Sequence, residues 1–168
     1  MTRLFRSGFV TLACVATSLG CTGREAPKAQ AADGSAALAA AAPGAPEILV
    51  YKSPTCGCCT SWVDYMRENG YRVTVRDVSD LSGIMDESGV PAALRSCHTG
   101  LVNGYVIEGH VPAEDVARLL RDKPKVVGLS VPGMVTGSPG MANPGQSPEH
   151  YDVVAFDAQG KTTVFAKR

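Results

Sequence analysis

Ile48-Leu49-Val50-Tyr51-Lys52-Ser53-Pro54-Thr55-Cys56-Gly57-Cys58-Cys59, running on through Trp62-Val63, Met66 and Asn69-Gly70, is the stretch from which the fold is read. Ile48 to Tyr51 is a short apolar run with the length of a buried strand. Ser53-Pro54-Thr55 interrupts it. Cys59, Trp62, Val63 and Met66 then recur at helical spacing, and Asn69-Gly70 closes that helix with a C-terminal glycine. Tyr71 to Val75 alternates as a second strand. The segment therefore reads β-α-β, with three cysteines at the join of the first strand and the first helix.

Downstream, Asp80 to Ser88 is a weaker helical segment. Leu101 to Ile107 places Asn103-Gly104 between apolar residues, a strong short-range hairpin signal. Pro112 starts a further helix, with Val116, Leu119 and Leu120 expected inward and Lys123-Pro124 ending it. The order β-α-β, hairpin, helix is that of an α/β domain of thioredoxin-like layout, a central sheet flanked by helices, over residues 47–128. Ser130 to Pro148 carries four Gly and four Pro, too many for a regular element. Tyr151 to Phe156, a turn at Asp157 to Gly160, and Thr162 to Ala166 read as a final hairpin. Residues 129–168 thus form a Gly/Pro/Met-containing C-terminal extension.

Upstream, residues 1–20 read as a signal peptide. Arg3 and Arg6 precede an apolar run from Phe9 to Leu19, well short of the roughly twenty residues that span a bilayer. Ser18-Leu19-Gly20-Cys21 is similar to a bacterial lipoprotein signal, in which Cys21 is lipidated and becomes the first mature residue. Cleavage after Ala29-Gln30-Ala31, releasing a soluble chain, is the alternative; both imply export. Residues 21–46, rich in Ala, Gly and Pro with only Leu38 bulky and apolar, read as a flexible tether.

Of 168 residues, 45% are hydrophobic, which is enough for a core and excludes wholesale disorder. Sixteen basic residues balance sixteen acidic ones, so the chain lacks the electrostatic footprint of a nucleic-acid binder. No phosphate loop, dinucleotide fingerprint or Ser, His and Asp triad is present, and no catalytic residue is assigned.

The chemistry concentrates in cysteine. Of six, Cys14 falls in the signal segment and Cys21 has no folding role, leaving Cys56, Cys58, Cys59 and Cys97. Soft thiolates select Cu(I), Zn and iron–sulfur centres. A helix N-terminus favours the charged thiolate. Cys56 and Cys59 also form a C-x-x-C redox pair, the signature of a thiol–disulfide oxidoreductase. Cys58 exceeds that motif and supplies a third sulfur that a metal uses, more than one metal especially. Two structural disulfides, with Cys97 paired to one of the three, are a further reading, as is a structural zinc.

Cys97 admits two placements. Either Val90-Pro91 is a turn beside the cysteines and Cys97 lies far along the next strand, or Pro91 to Ser96 is a short helix and Cys97 begins a strand ending at Asn103-Gly104. The hairpin favours the second, which sets Cys97 at the sheet edge facing the cluster. His98 and His110 are hydrogen-bonded loop histidines or metal ligands. Met134 and Met141 lie where little core is expected, and thioethers bind Cu(I). His150 carries no assignment.

Tyr51-Lys52-Ser53-Pro54-Thr55-Cys56-Gly57-Cys58-Cys59, Val90-Pro91, Ser96-Cys97-His98-Thr99, Gly104-Tyr105-Val106-Ile107-Glu108-Gly109-His110-Val111-Pro112, Gly128-Leu129-Ser130-Val131-Pro132-Gly133-Met134 and Gly137-Ser138-Pro139-Gly140-Met141 together resemble the CopG-type copper-resistance proteins of Gram-negative bacteria. Val135-Thr136 departs from the family's usual pattern without touching a ligand. The resemblance runs from about Glu47 to the end. It implies a thioredoxin-like domain with a C-terminal metal-binding extension in the periplasm. It also implies thiolate-bound copper at Cys56, Cys58, Cys59 and Cys97 and a part in copper redox handling. The expectation is a periplasmic, lipid-anchored protein that holds several Cu(I) ions, interconverts Cu(I) and Cu(II), and works with periplasmic copper-efflux components. A disulfide oxidoreductase using Cys56 and Cys59, and a copper chaperone without redox turnover, are the alternatives.

Overall fold

The run around Val50 forms β1 (Glu47–Lys52) in a computed structural model that describes residues 45–168. The signal peptide, Cys21 and the tether as far as residue 44 lie outside the described residues. Ile48, Val50 and Lys52 point into the protein while the alternate residues are less covered, the period-two pattern of a strand. α1 (Gly57–Glu68) follows, burying Cys59, Trp62, Val63 and Met66 along one stripe. β2 (Arg72–Asp77) pairs parallel with β1, completing a β-α-β unit.

α2 (Ser82–Glu87) is short and buries Met85. A 3₁₀ turn (Ala92–Leu94) stands where the sequence predicts a helix over Pro91 to Ser96. It stops because Arg95 is extended and the Ser96 N–H is taken by Glu108 instead of a helical carbonyl. β3 (His98–Val102) therefore begins one residue later than predicted, with Cys97 just outside it. β3 turns through Asn103 (φ 47°) and Gly104 (φ 83°) into β4 (Tyr105–Glu108). Both turn residues are left-handed, which Asn and Gly tolerate and which matches the twist of a tight hairpin.

α3 (Ala113–Asp122) starts after Pro112, carries Glu114 and Asp115 in its first turn, and ends at Lys123. Val116 and Leu119 are buried; Leu120 is only half-buried, at the margin of the stripe rather than inside it. β5 (Gly128–Ser130), β6 (Asp152–Phe156) and β7 (Thr162–Lys167) then continue the same sheet. The strand order is β2-β1-β3-β4-β5-β6-β7. β5 pairs parallel with β4 and antiparallel with β6, and β6 pairs antiparallel with β7. The described residues thus form a mixed α/β structure with a seven-stranded sheet and three α-helices.

Adjacent residues of β4 face opposite sides of the sheet. Ile107 joins the larger core with Ile48, Val50, Trp62, Met66, Val116 and Leu119, so α1 and α3 cover that face. Val106 joins Met85, Val90, Leu94 and Phe156, so α2 and the 3₁₀ turn cover the other. The segment after β5 corrects the expectation of little core there: Val131 and Ser138 are buried.

Candidate metal centre

Cys56 caps α1, and its sulfur accepts the Cys59 N–H at 3.3 Å. Cys58 sits in the first turn and Cys59 faces the core, fully buried. The chain before β3 delivers Cys97 to the same place. The four sulfurs all lie within 4.8 Å of one another. In this state Cys56 and Cys59 are joined as a disulfide, and Cys58 and Cys97 are free thiols. Cys58 Sγ stands 3.5 Å from Cys56 Sγ. The Cys59 sulfur, which carries no proton in the disulfide, lies 3.3 Å from the Cys97 carbonyl.

Two histidines close the other side of Cys97. Cys97, His98 and His110 form a second group with donor atoms within 4.8 Å of one another. His110 is fully buried. Its Nδ1 donates to the Pro139 carbonyl at 2.8 Å, because a carbonyl only accepts. That bond assigns the tautomer and leaves Nε2 as a lone pair, 3.1 Å from Cys97 Sγ. Burial draws the His110 pKa below its ordinary value, so the ring is neutral. His98, also fully buried, packs on Trp62 with ring centroids 4.4 Å apart. Burial first, then the neighbouring His110, pulls its pKa down to about 3. Its Nδ1 is 3.5 Å from Cys97 Sγ, and its buried Nε2 has no hydrogen-bond partner.

Burial, reinforced by Cys58, pushes the Cys97 thiol up to about 12. Without metal, Cys97 therefore keeps its proton and donates it toward His110 Nε2. A thiophilic cation would replace that proton.

The Gly/Pro segment lies against this group. Gly140 (φ 79°) is so close to α1 that a Cβ there would meet the Trp62 nitrogen at 2.7 Å and the Cys58 carbonyl at 3.0 Å. Met141 follows directly and is half-buried. On the other flank, Ser96 Oγ donates to the Gly133 carbonyl, which sets Met134 beside the Cys97 segment with 63% of its surface exposed. His150 is exposed in the polar loop before β6.

Three groups that shape this region carry no recognisable motif in the sequence. Glu108 is fully buried and accepts the Ser96 N–H and the Thr99 hydroxyl, each at 2.7 Å. Burial raises its pKa to about 7 against the opposing pull of those two bonds. Lys52, nearly buried, pairs with Asp77 at 3.1 Å and sits opposite His98 in the β1–β3 register. The Pro139 carbonyl fixes His110. A carboxylate ending the apolar run Tyr105-Val106-Ile107 was the one visible signal among these.

The donor set fits a soft metal. Four sulfurs converge, two neutral imidazoles stand beside one of them, and an unpartnered buried imidazole nitrogen is the sort of atom a metal satisfies. Use of all four sulfurs as thiolates requires reduction of the Cys56–Cys59 bond, which consumes two electrons and frees two thiols.

A family model described as a protein of unknown function, DUF411, matches residues 94–141. No curated protein matches the chain. Two solved structures of a copper resistance protein, copG, do. Its form 2 is 40% identical, with 74% of this chain and 98% of that chain covered at a TM-score of 0.70. Its form 1 is also 40% identical, with 73% and 96% covered at a TM-score of 0.68. A 40% identity across nearly the whole of those chains, carried by a structure that gathers four cysteines, leads to one conclusion: the chain belongs to the family of CopG copper resistance proteins.

Proposed function

We propose that this protein binds copper in the periplasm through Cys56, Cys58, Cys59 and Cys97, on a thioredoxin-like domain (47–128) completed by the extension 129–168. His98, His110 and Met141 are the further donors at hand, with Met134 exposed at the rim. The observation that carries the reading is the convergence of four sulfurs within 4.8 Å. So many soft donors around one point suit several Cu(I) ions sharing thiolates better than one hard cation. The mixed surroundings, thiolate on one side of Cys97 and imidazole on the other, serve both Cu(I) and Cu(II), which supports one-electron interconversion in copper resistance. The leader segment and Cys21 fit export and a lipid anchor, and release of copper would be to periplasmic efflux components.

The test is metal content. The exported protein, reduced with a dithiol and offered copper and zinc together, should take up more than one copper per chain and little zinc. One zinc per chain that resists excess Cu(I) would overturn the reading.

The Cys56–Cys59 disulfide favours one second reading, a thiol–disulfide oxidoreductase in which Cys58 is dispensable.

A further inference from the structure

We propose that Glu108 is a positioning residue for the metal centre, holding Cys97 and His98 in place by clamping the residues on either side of them. The proposal rests on the copper reading above for its consequence, and on geometry alone for its mechanism.

The β3–β4 ladder ends at the pair Thr99 and Glu108. One further bond, Gly109 N–H to the His98 carbonyl at 3.0 Å, continues it. Beyond that the chain from Ser96 to Cys97 has left the sheet. The Glu108 side chain takes over where the ladder stops. One carboxylate oxygen accepts the Ser96 N–H and the other accepts the Thr99 hydroxyl, both at 2.7 Å. Only Cys97 and His98 lie between those two anchors. The same strand end then supplies His110, whose Nε2 meets Cys97 Sγ. A short segment, 108–110, thus sets the backbone around Cys97, the carbonyl of His98 and the partner of the Cys97 sulfur.

A fully buried carboxylate is costly to place in a core unless its oxygens are bonded. Here each oxygen has one partner, Ser96 in the loop before β3 and Thr99 within β3, and the two flank the candidate ligands Cys97 and His98. Residues that orient ligands from behind in this way typically change metal affinity about 10–100-fold when removed.

The experiment compares full-length Glu108→Ala, Glu108→Gln and Asp115→Ala with the wild type. Asp115 is an equally buried carboxylate that holds Arg168 on α3, so its loss is a control for damage to a buried polar group elsewhere. Two readouts are taken: Cu(I) affinity by competition with a chromogenic chelator, and the alkylation rate of Cys97 in the reduced, metal-free protein, mapped by peptide mass. Glu108→Ala should weaken Cu(I) binding by at least about tenfold and speed Cys97 alkylation several-fold. Glu108→Gln should recover most of both, since its amide oxygen still takes the Ser96 N–H and its NH₂ can donate to Thr99. Asp115→Ala should change neither readout appreciably.

Wild-type affinity together with a wild-type alkylation rate in folded Glu108→Ala overturns the proposal. So does an equal loss in Asp115→Ala. Should Glu108→Ala fail to fold, Thr99→Val removes half the clamp at constant shape: faster Cys97 alkylation supports the proposal and an unchanged rate overturns it. If the wild type itself takes no Cu(I), the copper reading fails, and the alkylation rates still decide whether Glu108 holds Cys97.

Discussion

His110 Nε2 lies 3.1 Å from Cys97 Sγ while the opposite nitrogen of the same ring is held by the Pro139 carbonyl. The ring therefore bridges the Gly/Pro segment and the cysteine group in one fixed tautomer. Its free lone pair points at the sulfur whose proton a metal would displace. A structural histidine has no need of so directed an arrangement, and a ligand or near-ligand does.

His110→Ala should accordingly weaken Cu(I) binding by about 10–100-fold, the range seen when a group contacting a metal ligand is lost. Competition with a chromogenic chelator measures it. Unchanged affinity, with the fold intact, would show that His110 serves only as the hydrogen-bond partner of Cys97.

Gly140→Ala should loosen the same bridge from the other end. A methyl group there meets three backbone atoms of α1, at 2.7, 3.0 and 3.1 Å, and backbone cannot swing aside as a side chain can. The residue also has φ 79°, where an L side chain is strained. Together these should destabilise the protein by about 2–3 kcal/mol. A denaturant titration should show a lower midpoint with little change in slope. A midpoint equal to wild type would mean that the segment yields without cost.

Asp115→Ala should act on stability alone. Asp115 is buried at the start of α3 and accepts from Arg168 at 3.0 and 2.7 Å, with Arg118 at 3.6 Å. Removing it leaves Arg168, the residue that follows β7, without its buried partner. Arg168 is about one-third exposed, so water recovers part of the loss, and we expect about 2 kcal/mol rather than the 3–5 typical of a fully buried pair. Hydrogen exchange should quicken in β7 first. Uniform acceleration across the sheet would place the role of Asp115 elsewhere.

The legible parts of this molecule are those decided by local chemistry. The apolar run Ile48 to Tyr51, helical spacing from Cys59 to Met66, alternation in Tyr71 to Val75 and the Asn103-Gly104 turn each act over a few residues, so the order β-α-β, hairpin, helix could be read before any contact was known. The hairpin in turn pointed Cys97 at the cluster. The illegible parts depend on partners distant in sequence. β5 has three residues, too few for a periodic signal, and exists because β4 and β6 flank it. The 3₁₀ turn ends early because Glu108, twelve residues on from Ser96, takes its N–H. The Gly/Pro segment looked empty of core, yet glycine at position 140 is what allows it to pack on α1.

Cys58→Ser separates the copper reading from the disulfide reading. In the structure Cys58 stands outside the disulfide, with its sulfur 3.5 Å from Cys56 Sγ, close enough to share a metal and not needed for the Cys56–Cys59 bond. Its side chain is half-exposed, so the smaller hydroxyl should fold as well as the thiol. As a copper ligand Cys58 cannot be replaced by serine, because an alcohol oxygen is a poor donor for Cu(I). The variant should then bind less copper per chain and protect cells less against copper, although three cysteines remain. As a disulfide oxidoreductase the protein would keep its C-x-x-C pair, and thiol exchange with a reductant would proceed nearly as before. Copper content and thiol exchange measured on the same preparation give opposite answers under the two readings. Full copper loading and full tolerance in Cys58→Ser, with loss of disulfide reduction in Cys56→Ser or Cys59→Ser, would assign the function to the disulfide. A fall in copper with thiol exchange preserved would assign it to the metal, since removal of one sulfur that takes no part in the bond can alter only what the four sulfurs hold together.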